Sequence, residues 1–90
     1  GRTVALTHGE FPLLHVAAIR HLERLKREAD VLVVTLTPDA DPAGTAPRPL
    51  FQQALRAEAV ASLQCVDFVA VAGFASDAIR AIHPTVYGPP

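Results

Sequence analysis

Apolar residues recur along this chain with two periods, and the change from one to the other marks the elements. Val4-Ala5-Leu6 is a short run with a β-branched start that Gly9 punctuates, and it predicts a strand over about residues 2–7. Across residues 13–29 the apolar positions Leu14, Ala18, Leu22, Leu25 and Ala29 fall three and four apart, one face of an α-helix. Pro12 stands where that helix can open, because the N–H it lacks is one of the unpaired donors of a helix start. Arg20, Glu23, Arg24 and Arg27 occupy the opposite face, with Glu23 and Arg27 spaced as an i,i+4 ion pair. After Asp30, the run Val31-Leu32-Val33-Val34-Thr35-Leu36 is apolar and β-branched, the pattern of a strand covered on both faces.

Pro38, Pro42, Pro47 and Pro49, with Gly44 among them, predict a loop over residues 37–49. Phe51, Leu55, Ala59 and Leu63, spaced by fours, predict a second helix over 50–63 with those residues as its apolar face. A third strand is expected over 66–71, ended by Gly73, with Phe68 and Phe74 as core residues. Ser76 is placed to cap a short helix running to residue 82, and residues 84–87 read as a short fourth strand. The order β-α-β-α-β-α-β implies right-handed crossovers. The expected fold is α/β, Rossmann-like and three-layered (α/β/α), with a mainly parallel sheet of about four strands.

Composition narrows the class. Ninety residues, half of them apolar and 19% charged, make one small domain spanning residues 1–90 rather than a disordered segment. Such a chain buries roughly 60–65% of the surface its unfolded form exposes, enough for a thin core. A formal charge of −1 with only 8 Lys and Arg supplies no basic field for nucleic acid. No apolar run is long enough to span a membrane, and the first residues lack the pattern of a signal peptide. Cys65 is the single cysteine, so no internal disulfide forms; this fits a reducing, cytoplasmic setting. Cys65 reads as a small buried apolar group rather than a nucleophile, since no neighbouring His or Lys would lower its pKa.

In parallel α/β sheets, ligands bind beyond the carboxyl ends of the strands. Here that region is Thr7-His8-Gly9-Glu10-Phe11, leading into a helix start. Gly9 allows close backbone approach, the helix start offers free N–H groups and a positive dipole end, and His15 could donate to a phosphate oxygen. The same residues also suit a plain βα turn followed by a partly exposed helical histidine. His21, six residues on from His15, faces elsewhere around the helix. No pair of histidines has metal-ligand spacing with a third ligand nearby.

The stretch from Val4 through Gly9-Glu10-Phe11-Pro12-Leu13-Leu14-His15-Val16-Ala17-Ala18 resembles the opening of the cytidylyltransferase-like nucleotidyltransferases. That family reads Gly-x-Phe-Asp-Leu-Leu-His-x-Gly-His there, and includes glycerol-3-phosphate cytidylyltransferase and the adenylyltransferase that activates heptose phosphates. The resemblance continues through Asp30-Val31-Leu32-Val33-Val34, Thr37-Pro38-Asp39, Arg48-Pro49-Leu50-Phe51, Leu55-Arg56-Ala57-Glu58, Cys65-Val66-Asp67-Phe68-Val69 and Ile79-Arg80-Ala81-Ile82-His83-Pro84. It covers nearly the whole chain. It implies CTP or ATP, with Mg²⁺, lying over the first helix's start. The motif's two histidines, one turn apart, would stabilise charge on the phosphates while CMP or AMP passes to a polyol or sugar phosphate.

Position by position, this sequence keeps Gly9, Phe11 and His15. Pro12 stands for the motif aspartate, Ala17 for its glycine, Ala18 for its second histidine, and Gly44 for a loop lysine. The family's Ser/Thr-rich phosphate-binding segment follows the last strand; the sequence stops at Pro90, so that segment is expected to be missing. Tyr87-Gly88 stands where relatives carry Lys-Gly. The resemblance therefore implies His15 as the remaining catalytic residue, and His8, Gly9, Glu10, Phe11, His15, Arg48 and Arg56 as nucleotide contacts. Arg56 with Glu58 reads equally as an exposed helix pair, Arg48 as a solvated loop charge, and His83 as structural. Loss of transition-state donors implies impaired transfer. The alternative is a non-catalytic module, a homodimer or a piece docked to a larger protein.

Overall fold

The structure is a computed structural model, and it describes residues 2–11, 14–38 and 53–88. Its elements are β1 (Val4–Gly9), α1 (Val16–Arg27), β2 (Val31–Leu36), α2 (Gln53–Ala61), β3 (Phe68–Val71), α3 (Ala75–Ile82) and β4 (Val86–Tyr87). The strands form one parallel sheet in the order β3-β2-β1-β4. Side chains alternate across it. Ala5, Leu32, Val34 and Leu36 face Leu22 and Leu25 of α1 and Val60 of α2, while Leu6 and Val33 face Ala78 of α3. Helices thus cover both faces, the three-layer Rossmann-like arrangement expected.

β2 occupies the residues its apolar run marked. β1 runs two residues further than the pattern suggested, because pairing continues through His8 with Thr35 and Gly9 with Leu36. β3 starts at Phe68 rather than Val66. Asp67 is bound at the amino end of β2 instead: its N–H donates to the Leu32 carbonyl at 3.0 Å, and its Oδ2 accepts the Leu32 N–H at 2.8 Å. The expected cap of α3 is displaced as well. Phe74 holds the N-cap position without a side-chain bond, and Ser76 lies inside the helix.

Two expectations of burial fail, and so does one of ion pairing. α2 turns Arg56 and Val60 inward and leaves Leu55 55% exposed, so its buried stripe is one residue out of phase with the apolar spacing. Phe68 and Phe74 are 63% and 49% exposed rather than core. β3 is an edge strand, and α3 packs across β1 instead of covering Phe68. Glu23 and Arg27 do not pair; the ion pair within the described residues joins Lys26 Nζ to Asp67 Oδ2 at 2.7 Å.

That pair belongs to a polar clasp at the amino ends of the strands. Lys26 Nζ also donates to the Asp30 carbonyl at 2.7 Å, and Asp30 Oδ2 accepts the Thr3 N–H at 2.9 Å. Lys26 above all, then the Leu32 N–H, hold the Asp67 carboxyl below its ordinary value; the Thr3 backbone N–H does the same for Asp30. A carboxyl depressed in the folded state contributes stability above its unfolded pKa and loses it as pH falls through the folded value. The fold should therefore hold its stability above about pH 5 and lose part of it as pH drops below 4, where an unfolded Asp titrates. Asp67→Asn should flatten that acid limb in urea titrations at stepped pH. At the far side of α1, a Cβ on Gly88 would overlap the Leu25 side chain. Gly88→Ala should then cost about 1–3 kcal/mol, read from the denaturation midpoint.

Candidate functional site

The carboxyl end of β1 turns sharply into α1. Gly9 ends the strand, Glu10 follows exposed, and Phe11 takes a left-handed backbone with φ of 47°. The Phe11 ring folds back on Gly9 so closely that a Cβ there would lie 3.0 Å from Phe11 Cε2. Glycine at position 9 is what admits the ring, and the ring packs on the core between the sheet and α1. The positive φ costs on the order of 1 kcal/mol, a cost that surrounding packing must offset.

His15 is the N-cap of α1, with extended φ of −131° and ψ of 174°. Its Nδ1 accepts the Ala17 N–H at 3.3 Å. Accepting at Nδ1 puts the ring proton on Nε2, which makes the exposed imidazole a hydrogen-bond donor towards solvent. The first turn of α1 holds no acidic residue, so no carboxylate within that turn opposes the positive end of the helix dipole. Ala18, where the motif would place a second histidine, is half-buried one turn along.

His8 lies apart from this group. Strand alternation sends it to the α3 face, opposite Gly9, where its Nδ1 shares a hydrogen bond of 2.8 Å with Thr35 Oγ1. Burial pushes the His8 imidazole below its ordinary pKa and favours the neutral ring. Arg56 is not the exposed helix residue that one reading expected. It is 2% exposed, with Nη1 donating to the Glu10 carbonyl at 2.6 Å and Nη2 to the Thr37 carbonyl at 2.8 Å. Arg48, Gly44 and Pro12 lie outside the described residues.

The remaining candidates keep structural roles. His83 closes α3 in the left-handed region, its N–H donating to the Ile79 carbonyl at 2.9 Å. His21 turns a buried Nε2 into the protein, away from His15. Cys65 is half-buried against the core, and that burial raises its pKa, so it stays a thiol. Among the described residues no three His, Cys, Asp or Glu side chains cluster as metal ligands. No described helix is long and apolar enough to cross a membrane. Thr37 is the participant that sequence patterns missed: a threonine after an apolar run carries no signal of its own, yet its N–H reaches the Gly9 carbonyl at 3.1 Å.

No protein-family model matches the chain. The bifunctional protein HldE of Geotalea uraniireducens (strain Rf4) is 41% identical over 73 residues, covering 79% of this chain and 15% of that protein. The bifunctional protein HldE of Syntrophotalea carbinolica is 40% identical over 77 residues, with the same shares. The chain belongs to the cytidylyltransferase-like nucleotidyltransferases. It spans about 15% of the length of these curated relatives. The crystal structure of the lipopolysaccharide core biosynthesis protein from Thermoplasma volcanium GSS1 superposes with a TM-score of 0.86. That match covers 97% of this chain and 73% of the other, and at 24% identity it speaks for the fold alone.

If His15 caps α1 as the geometry shows, His15→Ala should lower stability by about 0.5–1 kcal/mol in urea unfolding. His15→Ser should restore most of that loss, because its hydroxyl can accept the same N–H.

Proposed function

We propose that this chain is a nucleotide-binding domain related to enzymes that move CMP or AMP from CTP or ATP onto a polyol or sugar phosphate. We further propose that its own transfer chemistry is weak. The observation that carries the binding reading is the α1 start: a turn at Gly9, Glu10 and Phe11, a donor at His15 Nε2, and a first turn free of acid. Triphosphate oxygens would lie over that start, with His15 donating to them. Phe11 keeps the turn in shape from beneath. His8 and Arg48 are secondary contacts in this reading, whereas Arg56 is engaged by the Glu10 and Thr37 carbonyls. In this reading Mg²⁺ arrives with the nucleotide and neutralises phosphate charge.

Weak transfer follows from the residues facing the phosphates. Ala18 offers no imidazole, and the Ala17 methyl stands where the motif has glycine. A single missing transition-state donor costs about 10²–10³ in rate, or roughly 3–4 kcal/mol. A second reading, a non-catalytic module that pairs with another copy, draws on the exposed Phe68 and Phe74. Sedimentation separates the readings on that point, since only the second requires a dimer.

Calorimetric titration of CTP and of ATP with Mg²⁺ should show saturable binding for one of them. No heat at millimolar nucleotide would remove the binding reading. Ala17→Gly, Ala18→His and Gly44→Lys together should raise affinity and bring pyrophosphate release above background. If neither quantity moves, the site has been placed on the wrong residues.

A further inference from the structure

Among the described residues Arg56 is the largest fully buried side chain, and it sits where two loops leave the sheet. The last rung between the first two strands is the Thr37 N–H on the Gly9 carbonyl at 3.1 Å. Beyond it the chains part, one towards α1 and the other into the loop before α2. The carbonyls of Glu10 and Thr37 therefore have no strand partner and are open to other donors. Arg56 supplies both, reaching Glu10 at 2.6 Å and Thr37 at 2.8 Å, with Nη1 also 3.4 Å from Thr37 Oγ1. A planar guanidinium holds two acceptors at a set spacing, and charged donors make bonds about twice as strong as neutral ones.

We infer that Arg56 is a positioning residue: it clips the loop after β1 to the loop after β2 and sets the gap between them, rather than meeting phosphate itself. The clip stands on contacts within this chain. Its consequence for ligand affinity rests on the nucleotide reading above.

The test uses Arg56→Lys and Arg56→Met in the full chain, first without ligand. Amide hydrogen exchange should speed up at Thr37 by about tenfold or more, while Val31 and Gly88 hold within about twofold. Those two amides donate to the Thr3 and Leu6 carbonyls, outside the clip. Equal acceleration at every amide would reduce Arg56 to a general stabiliser, and an unchanged Thr37 would mean that no clip exists; either overturns the inference. Should Arg56→Met not fold, Arg56→Lys carries the measurement, because it keeps the charge and length but not the fork. With ATP and Mg²⁺ added, both variants should lose affinity to a similar degree. Affinity retained by Arg56→Lys would indicate a direct phosphate contact and sink the proposal. A parent chain that binds no nucleotide defeats the functional reading only, and the exchange pattern then decides the clip.

Discussion

The pairing of β1 with β2 is the constraint on which the other parts depend. Six residues of each strand lie in parallel register, from Val4 opposite Val31 to Gly9 opposite Leu36. Ala5, Leu6, Thr7, Leu32, Val34 and Leu36 have no exposed surface, so this double strand is covered from both sides. A one-residue slip would swap the sets facing α1 and α3, exchanging Leu6 with Thr7 in the core. Burial on two faces makes such a slip costly. It also fixes where both chains leave the sheet.

The candidate site inherits its geometry from that exit. Because β1 and β2 end level, Gly9 and Thr37 can bond, and the turn after Gly9 starts from a fixed point. Phe11 closes the turn against the strand end, and His15 opens α1 as its cap. Each device is built from backbone groups and one side chain. None of them requires the second histidine of the family motif. The turn and the helix cap therefore form without the glycine and second histidine that the family motif carries where Ala17 and Ala18 stand.

At the opposite ends of the strands, Lys26, Asp30, Asp67 and Thr3 satisfy backbone groups that the sheet leaves open. These are exposed contacts whose separate contributions are small. Their value lies in where they end the strands: Asp67 caps β2 from below and delays the start of β3. The outer strands are less well covered. β3 and β4 are edges, and Phe68 stands on the uncovered side of β3.

Element order, strand type and the parallel sheet were legible in the sequence because they depend on local periodicity, which neighbouring residues carry. The short turn at Gly9 was legible too, since a glycine after an apolar run punctuates a strand. Tertiary structure alone decided which face of α2 turns inward. Apolar spacing favoured Leu55 and Ala59, but two open carbonyls, at Glu10 and Thr37, drew Arg56 into the interior. It alone decided that Phe68 is exposed, because coverage of a strand depends on where a distant helix packs. And it decided which layer lies over His8 and which over Gly9, since the helix covering each face is set by long-range packing.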